Sequence, residues 1–556
     1  MRKIIIVFSS LCLVLLLVYC GHRGYKVWKQ SHWMTMAREY GAKGDARNEF
    51  LSLEQVLSAN AWNLEATRMM ANLAEAGHSE GALRWRERAL ELTPNSLDDR
   101  LALAQTAIFS HAYDEASNTL AGVDATGRKT APYFNVAGEL ALAVNRPDEA
   151  QSDFAEAARL DPSNPAPQLS LAVVELHRTN ELDRSEARIA LKRISLNSTN
   201  LLLRAQAKRE LIMDALRFKD YNTAVPLSAE LAQATNAPFS DRLLWLESLK
   251  LSKNASYSSA LAGCESEAAS TPGKLGQLTQ WLMEQNLHDQ ALAWLRSLPL
   301  QMQTNQPAAF LIAQCQMRSG DWSSLQKTAS KQAWGNMEFT RHAYVARALR
   351  EQGLDGASKA EWDVAMKAAN GQLQPLKALF EMTSAWKWPN EGQQVLWAVV
   401  NSYPKEQWAG NELAGQLYAS GATRPLMQLF TIQYNRNQAN LSVGNNLAVT
   451  ALLLRANEAH PYDLARQVYQ KVPTNGNYAC TYAFALYLQG KKDEALKIMQ
   501  GIDAKSLENN STAGYYGLIL NSVGERSKAG PYLRRSTTGP LLPEERTLFQ
   551  QALLGL

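Results

Sequence analysis

Between Ala131 and Asn164 the apolar positions keep a helical period, break once, and resume it. Phe134, Ala137, Gly138 and Ala141 fall on one face of a 3.6-residue helix, with Asn135 and Glu139 at its edge. Asn145-Arg146-Pro147 interrupts the pattern, and Pro147 suits the first position of a helix whose first turn holds Asp148 and Glu149 against the positive end of its dipole. Ala150, Phe154, Ala157 and Ala158 then recur at i, i+4, i+7 and i+8, and Asp161-Pro162 ends the run. The stretch predicts a helix-turn-helix of about 34 residues. Two helices this short cannot bury their apolar faces on each other alone, so the element requires neighbours that stack on it.

The same register recurs along the chain. Aligned on the small residue of the second helix, the positions are Ala46, Ala82, Ala116, Ala150, Ala187, Ala224, Ala260, Ala291, Leu325, Ala360, Gly392, Leu426, Ala465, Ala495 and Ala529. Ala82, Ala116 and Ala150 are spaced by 34, as are Ala291 and Leu325, Gly392 and Leu426, and Ala495 and Ala529. Pro94, Pro162, Pro272 and Pro404 each follow by 12 residues, where a second helix should stop. Gly320-Asp321-Trp322, Gly490-Lys491-Lys492 and Gly524-Glu525-Arg526 supply turns between paired helices. Longer connections are expected at Ile194–Asn200, Asn435–Gly444 and Asn457–Pro461. Leu542-Pro543-Glu544-Glu545 starts a last helix that caps the stack.

Small and aromatic residues at these places resemble the tetratricopeptide repeat (TPR). In the best-formed copy Phe134, Gly138, Ala150, Phe154, Ala157 and Pro162 stand at its positions 4, 8, 20, 24, 27 and 32; Ala82, Ala116, Ala495 and Ala529 repeat position 20. Small residues let the two helices approach, and Phe134 and Phe154 fill what remains. The resemblance implies an all-α fold, an α-solenoid wound as a right-handed superhelix, acting as a scaffold whose concave face binds a protein or peptide. It divides the chain into a signal-anchor or transmembrane segment (1–21), an N-terminal repeat block (22–240), a degenerate middle block (241–440) and a C-terminal block with its capping helix (441–556). The family's subset that clamps carboxylate tails uses Lys, Arg and Asn on successive first helices. Thr67, Leu101 and Asn135 occupy the corresponding sites here, so that role is not carried over.

The N-terminus changes the picture. Met1-Arg2-Lys3 precedes an uncharged, apolar run from Ile4 to Cys20, broken only by Ser9 and Ser10 and long enough at about 1.5 Å per residue to reach about 25 Å, near the lower limit for a hydrocarbon core. It exceeds the usual signal-peptide core of about 7–15 residues and no A-x-A site follows, which favours an uncleaved anchor. Leu17-Val18-Tyr19-Cys20 resembles a lipobox, with bulky Tyr19 where a small residue belongs. Basic residues flank the run on both sides, so orientation rests on the habit of short basic N-termini to leave the rest translocated. The solenoid is expected on the extracytoplasmic, periplasmic side, tethered through residues 4–20, or secreted if the segment is cleaved.

Charge and chemistry narrow the function. A formal net charge of +4 with 20% charged residues gives no field suited to nucleic acid. Five cysteines form no CxxC pair, and eight histidines form no H-E-x-x-H, so neither a metal nor a cofactor is expected. Gly77-His78-Ser79-Glu80-Gly81 fits G-x-S-x-G, but that elbow must follow a strand and here follows a helical pattern. No catalytic residue is assigned and the chain is not expected to be an enzyme. Trp386, Trp388, Trp408 and Tyr418 are candidate groove aromatics, repeat packing being the other reading for them. The functional expectation is a membrane-tethered scaffold in assembly of an envelope complex. The alternative is an accessory subunit of an envelope polysaccharide, lipopolysaccharide or secretion system; the anchored TPR proteins that regulate lipopolysaccharide assembly end in a paired-cysteine metal domain, which is absent here.

Overall fold

Helix caps and left-handed turns set the rhythm of the chain. A computed structural model describes residues 24–79, 81–331 and 333–556. The apolar run from Ile4 to Cys20, with its anchor, lipobox and cleavage expectations, lies outside the described residues. Among the described residues there are helices and turns and no strand. Asn63, Ser96, Thr130 and Asn164 each stand at an N-cap, with a side-chain oxygen accepting from an amide two or three residues on; such a cap contributes about 1 kcal/mol. Turns within pairs use left-handed backbone, at His78 (φ 50), Asn145 (φ 60), Gly320 (φ 70), Gly490 (φ 80) and Gly524 (φ 88).

The chain divides into two compact units, up to Ala268 and from Ala269. In the first, helices pack antiparallel on their neighbours in chain order, as a stack of hairpins. The hairpin of Ala131–Ala143 and Pro147–Leu160 shows why the period holds. Ala150 and Ala157 are fully buried and Phe154 is 1% exposed. A methyl group on Gly138 would lie 2.7–2.9 Å from three Phe154 ring atoms, so only glycine lets the ring lie flat across the first helix. Phe134 is half-buried and Pro162 exposed just past the second helix. Bidentate ion pairs tie successive first helices: Arg68 to Asp99 (Nε–Oδ1 2.7 Å) and Arg209 to Asp241 (2.7 and 2.9 Å). Burial of Asp99 opposes its ionisation, but hydrogen bonds from Arg68, Thr93 and Ser96 outweigh this and hold its carboxyl at about 2.

Ser79 sits in the turn between Leu64–Ala76 and Ala82–Leu92, its Oγ accepting from the Gly81 N–H at 3.2 Å. The positions aligned on the second helix are buried, Ala82, Ala116, Ala495 and Ala529 among them, with two exceptions. Ala46 is exposed, and its helix turns Leu53 and Val56 inward instead. Ala360 is exposed as well; Ser358, fully buried, takes its place and donates to the Ala346 carbonyl at 2.8 Å. The register there is two residues earlier than the alanine pattern suggests.

In the second unit one continuous core runs from Ala343 to Ala552. The last hairpin repeats the close approach of the Gly138 copy: a methyl on Gly517 would meet Leu533 Cγ at 2.7 Å, beside fully buried Ala529. The last helix, Pro543–Leu554, begins with proline as expected of a cap and buries Phe549 completely against Tyr515, ring centroids 5.0 Å apart. Cys264, Cys315 and Cys480 are free and buried, their thiols pushed by burial up to about 11, 12 and 12.

Candidate functional site

The first helices of the C-terminal hairpins are buried on most sides, yet one face of each carries polar residues. On Leu441–Leu454, Gly444, Leu447, Ala448 and Ala451 enter the core, while Ser442, Asn445, Asn446, Val449 and Thr450 share another face at helical spacing. Asn477, Tyr478 and Thr481 on Gly476–Leu488, and Ser511, Thr512 and Tyr515 on Asn510–Ser522, continue that face. Asn is a weak helix former because its side chain competes for backbone hydrogen bonds. Its recurrence mid-helix calls for a reason outside helix formation.

These faces line a cavity of about 450 Å³, within the range of small-ligand and peptide-anchor sites. Tyr418 and Gly415 of Gln407–Ala419 and Phe430 of Thr423–Arg436 form one wall. The C-terminal arm forms another. Tyr418 OH donates to the Pro540 carbonyl at 3.3 Å, and Thr423 Oγ1 donates to Glu544 Oε2. A methyl on Gly421, whose φ is 69, would meet Pro543 Cγ at 3.0 Å. The chain thus returns, about 120 residues later, to the turn at 420–422. Glu545 reaches inward, 3% exposed, accepting from Tyr515 OH at 3.0 Å, the Leu542 N–H at 3.0 Å and Ser511 Oγ. Burial outweighs these donors and raises its carboxyl above the ordinary value of 4.5; burial, with Glu545 beside it, also lifts the Tyr515 phenol well above 10.

Two features define what the cavity accepts. Among the described residues, Glu545 is the one lining residue that can carry a carboxylate charge, and no Lys or Arg lines the cavity. A ligand carboxylate or phosphate would therefore be desolvated without a counter-charge. Asn445 is 7% exposed, and among the described residues its Oδ1, itself almost wholly buried, has no hydrogen-bond donor. An adjoining hollow of about 400 Å³ shares Ala414, Phe430, Ser442 and Asn446 with the first. Its one arginine, Arg436, donates to the Val400 and Asn401 carbonyls.

The candidate aromatics separate. Trp388 is 5% exposed, packed edge-on against Trp362 and Trp386, with the Arg350 guanidinium 3.7 Å from its ring centroid. Trp386 is half-buried and leans on Tyr344. Trp408 rests on Phe380 of the preceding hairpin and donates through Nε1 to Glu406 at 2.7 Å. Of the four, Tyr418 lines the cavity. Sequence reasoning missed Asn445, Asn446, Asn477, Tyr515 and Glu545, although polar residues amid LSVGNNLAVT and NSTAGYYG were a visible signal. No group of His, Cys, Asp and Glu able to hold a metal ion exists among the described residues, and no described helix is long and apolar enough to cross a membrane.

No family model matches the chain, and no curated protein matches it. Among solved structures, one from a functional characterisation of Pseudomonas aeruginosa PilF is 17% identical, covering 40% of this chain and 97% of that one, with a TM-score of 0.30. PilW, a widely conserved type IV pilus biogenesis factor, is 18% identical over 43% of this chain and 92% of that one, TM-score 0.26. The Cut9–Hcn1 hetero-tetramer of the APC/C is 12% identical over 93% of this chain and 98% of the other, TM-score 0.28. At these identities and scores neither the fold nor the function of those proteins carries over to this chain.

Proposed function

We propose that the chain is a membrane-tethered scaffold that receives a segment of a partner protein lacking acidic residues in the cavity between Gln407 and Glu545, and that it serves the assembly of an envelope complex. The observation that carries this reading is the cavity of about 450 Å³ built from the polar faces of successive first helices, with no Lys or Arg among its described lining residues. A peptide would pair with the lining Asn446, Asn477, Thr481 and Ser511 through its backbone or a hydroxyl or amide side chain. An apolar side chain of the same segment would cover Phe430 and Leu453. Preformed helices lose little conformational freedom on binding, so the ordering cost falls on the partner. The apolar run from Ile4 to Cys20 supports the tether.

The test is a crosslinking pull-down from intact membranes of cells expressing the full chain, comparing wild type with Asn445→Leu and Asn446→Leu. One protein enriched with wild type and lost from both variants, which keep wild-type helicity, is the expected result. Equal recovery by wild type and variants would remove the cavity from the function. Recovery of the chain in the soluble fraction would remove the tether.

A further inference from the structure

The first hairpin carries large aromatics on the wrong side. Its first helix, described over 24–42, turns Trp33, Met34 and Ala37 into a core with Leu53 and Val56. The opposite stripe holds Tyr25 and Trp28, 58% and 60% exposed, with Val27 beside them at 63%. Tyr25, Trp28 and His32 stack in file, with ring centroids 6.1 and 5.2 Å apart. Trp62, 77% exposed, belongs to the turn that follows Ala46–Ala59. The second helix brings that turn back to the level of the first helix's start: Asn60 Nδ2 donates to Gln30 Oε1 at 3.2 Å and Lys29 Nζ to Ser58 Oγ at 3.3 Å. The Trp62 N–H donates to Asn60 Oδ1 at 3.0 Å, which fixes its backbone in the turn. Three exposed aromatics and the cations of Lys26 and Lys29 thus gather at one end of the hairpin, the end from which the chain continues toward Cys20.

We propose that this end of the hairpin is a docking surface for the lipid headgroup layer, with Tyr25, Trp28 and Trp62 as its aromatic belt. The proposal rests on the membrane tether of the proposed function and is independent of the cavity. Tyr25 lies five residues beyond the apolar run, so its Cα is no more than about 18 Å from that of Cys20 along the chain. The interfacial layer occupies about 5–8 Å on each side of a hydrocarbon core of about 30 Å. Trp and Tyr favour that layer because their rings are apolar and their N–H and O–H groups stay hydrated, and Lys beside them meets anionic lipid. Exposed aromatic clusters mark protein or membrane contact sites, and the apolar run that ends five residues before Tyr25 selects the membrane.

The test reconstitutes the full chain into vesicles of four parts phosphatidylcholine to one of phosphatidylglycerol, with lipids brominated near the headgroup end of the acyl chain. Flotation and tryptophan quenching are read on wild type and on Trp28→Phe/Trp62→Phe, whose sites are exposed and whose helicity is checked by circular dichroism. With 14 tryptophans in the chain, two at the lipid level account for about one seventh of an evenly weighted emission, 2/14. The expected result is that both proteins float and that the quenched fraction of wild type falls by about this share in the variant. Equal quenching in two proteins that float overturns the belt and leaves the tether standing. Failure of wild type to float overturns the tether, and the belt with it.

Discussion

Gly138→Ala adds one methyl group at the point where the two helices of the Ala131–Leu160 hairpin come closest. The new carbon would sit 2.7, 2.8 and 2.9 Å from Phe154 ring atoms, and the ring, 1% exposed, has no free space to enter. Replacing glycine inside a helix should by itself stabilise by about 1 kcal/mol. Overpacking a closed core costs about 1–3 kcal/mol, so a net loss of up to about 2 kcal/mol is expected. Gly263→Ala, also inside a helix but with nothing within 4 Å of the added carbon, isolates the first effect and should gain about 0.5–1 kcal/mol. In a Phe154→Leu background the obstruction is gone, and Gly138→Ala should become stabilising. The resulting coupling would be about 1–3 kcal/mol. A stacked array of this length need not unfold in one step, so the readout is native-state hydrogen exchange of the amides around each substitution, 131–160 for Gly138 and 257–268 for Gly263. If Gly138→Ala raised protection as Gly263→Ala does, or acted identically with Leu at 154, the packing argument for the repeat would be refuted.

The same logic predicts that Ala150→Leu, at a fully buried site, lowers local protection by about 1–3 kcal/mol more than Ala143→Leu, at a half-buried one; equal exchange in the two would count against the register. The Asp99 carboxyl, held at about 2 against an ordinary 3.8, contributes stability that is complete above 3.8 and is lost as pH falls through 2. Because Arg68 is 43% exposed, the contribution is discounted for screening to about 1 kcal/mol. Asp99→Asn should remove this part of the acid sensitivity of 64–109, and an unchanged acid limb would contradict it. Glu545 behaves oppositely: its raised carboxyl keeps its proton in the folded chain while the unfolded chain ionises near 4.5. Stability should therefore fall as pH rises from 4.5 through the folded value and level off above it. Glu545→Gln should flatten that limb in exchange measured on 510–554, and an unaltered slope would mean that the arm does not bury an ionisable group.

The repeat was legible because helix pairs leave a chemical trace at their closest approach, as with Gly138 and Ala150 against Phe154. The trace fails where alanine is abundant for other reasons. Ala46 and Ala360 were aligned by identity, yet the buried residues belong to Leu53, Val56 and Ser358, whose place depends on where the helix starts. The cavity was illegible for a different reason. It is closed by Tyr418 to Pro540 and Thr423 to Glu544, contacts separated by about 120 residues, which a local period does not register. The polar faces that line it were visible as asparagines in apolar helices, but nothing in the sequence shows that Asn445 and Glu545 border one hollow. Trp386 and Trp388 read as a groove cluster by proximity in the chain, whereas the fold gathers them with Trp362, Tyr344 and Arg350.

The central claim is that a partner segment occupies the hollow between the C-terminal first helices and the returning arm. A photo-crosslinking amino acid placed at Asn446, inside the hollow, and in a second protein at exposed Glu494 of the following hairpin tests it in intact cells. The account predicts an adduct at 446 to one defined segment of one protein, lacking acidic residues where it meets the cavity, abolished when Asn445→Leu is added, and absent at 494. An adduct of equal yield at both positions, or one at 446 that Asn445→Leu leaves intact, would contradict it.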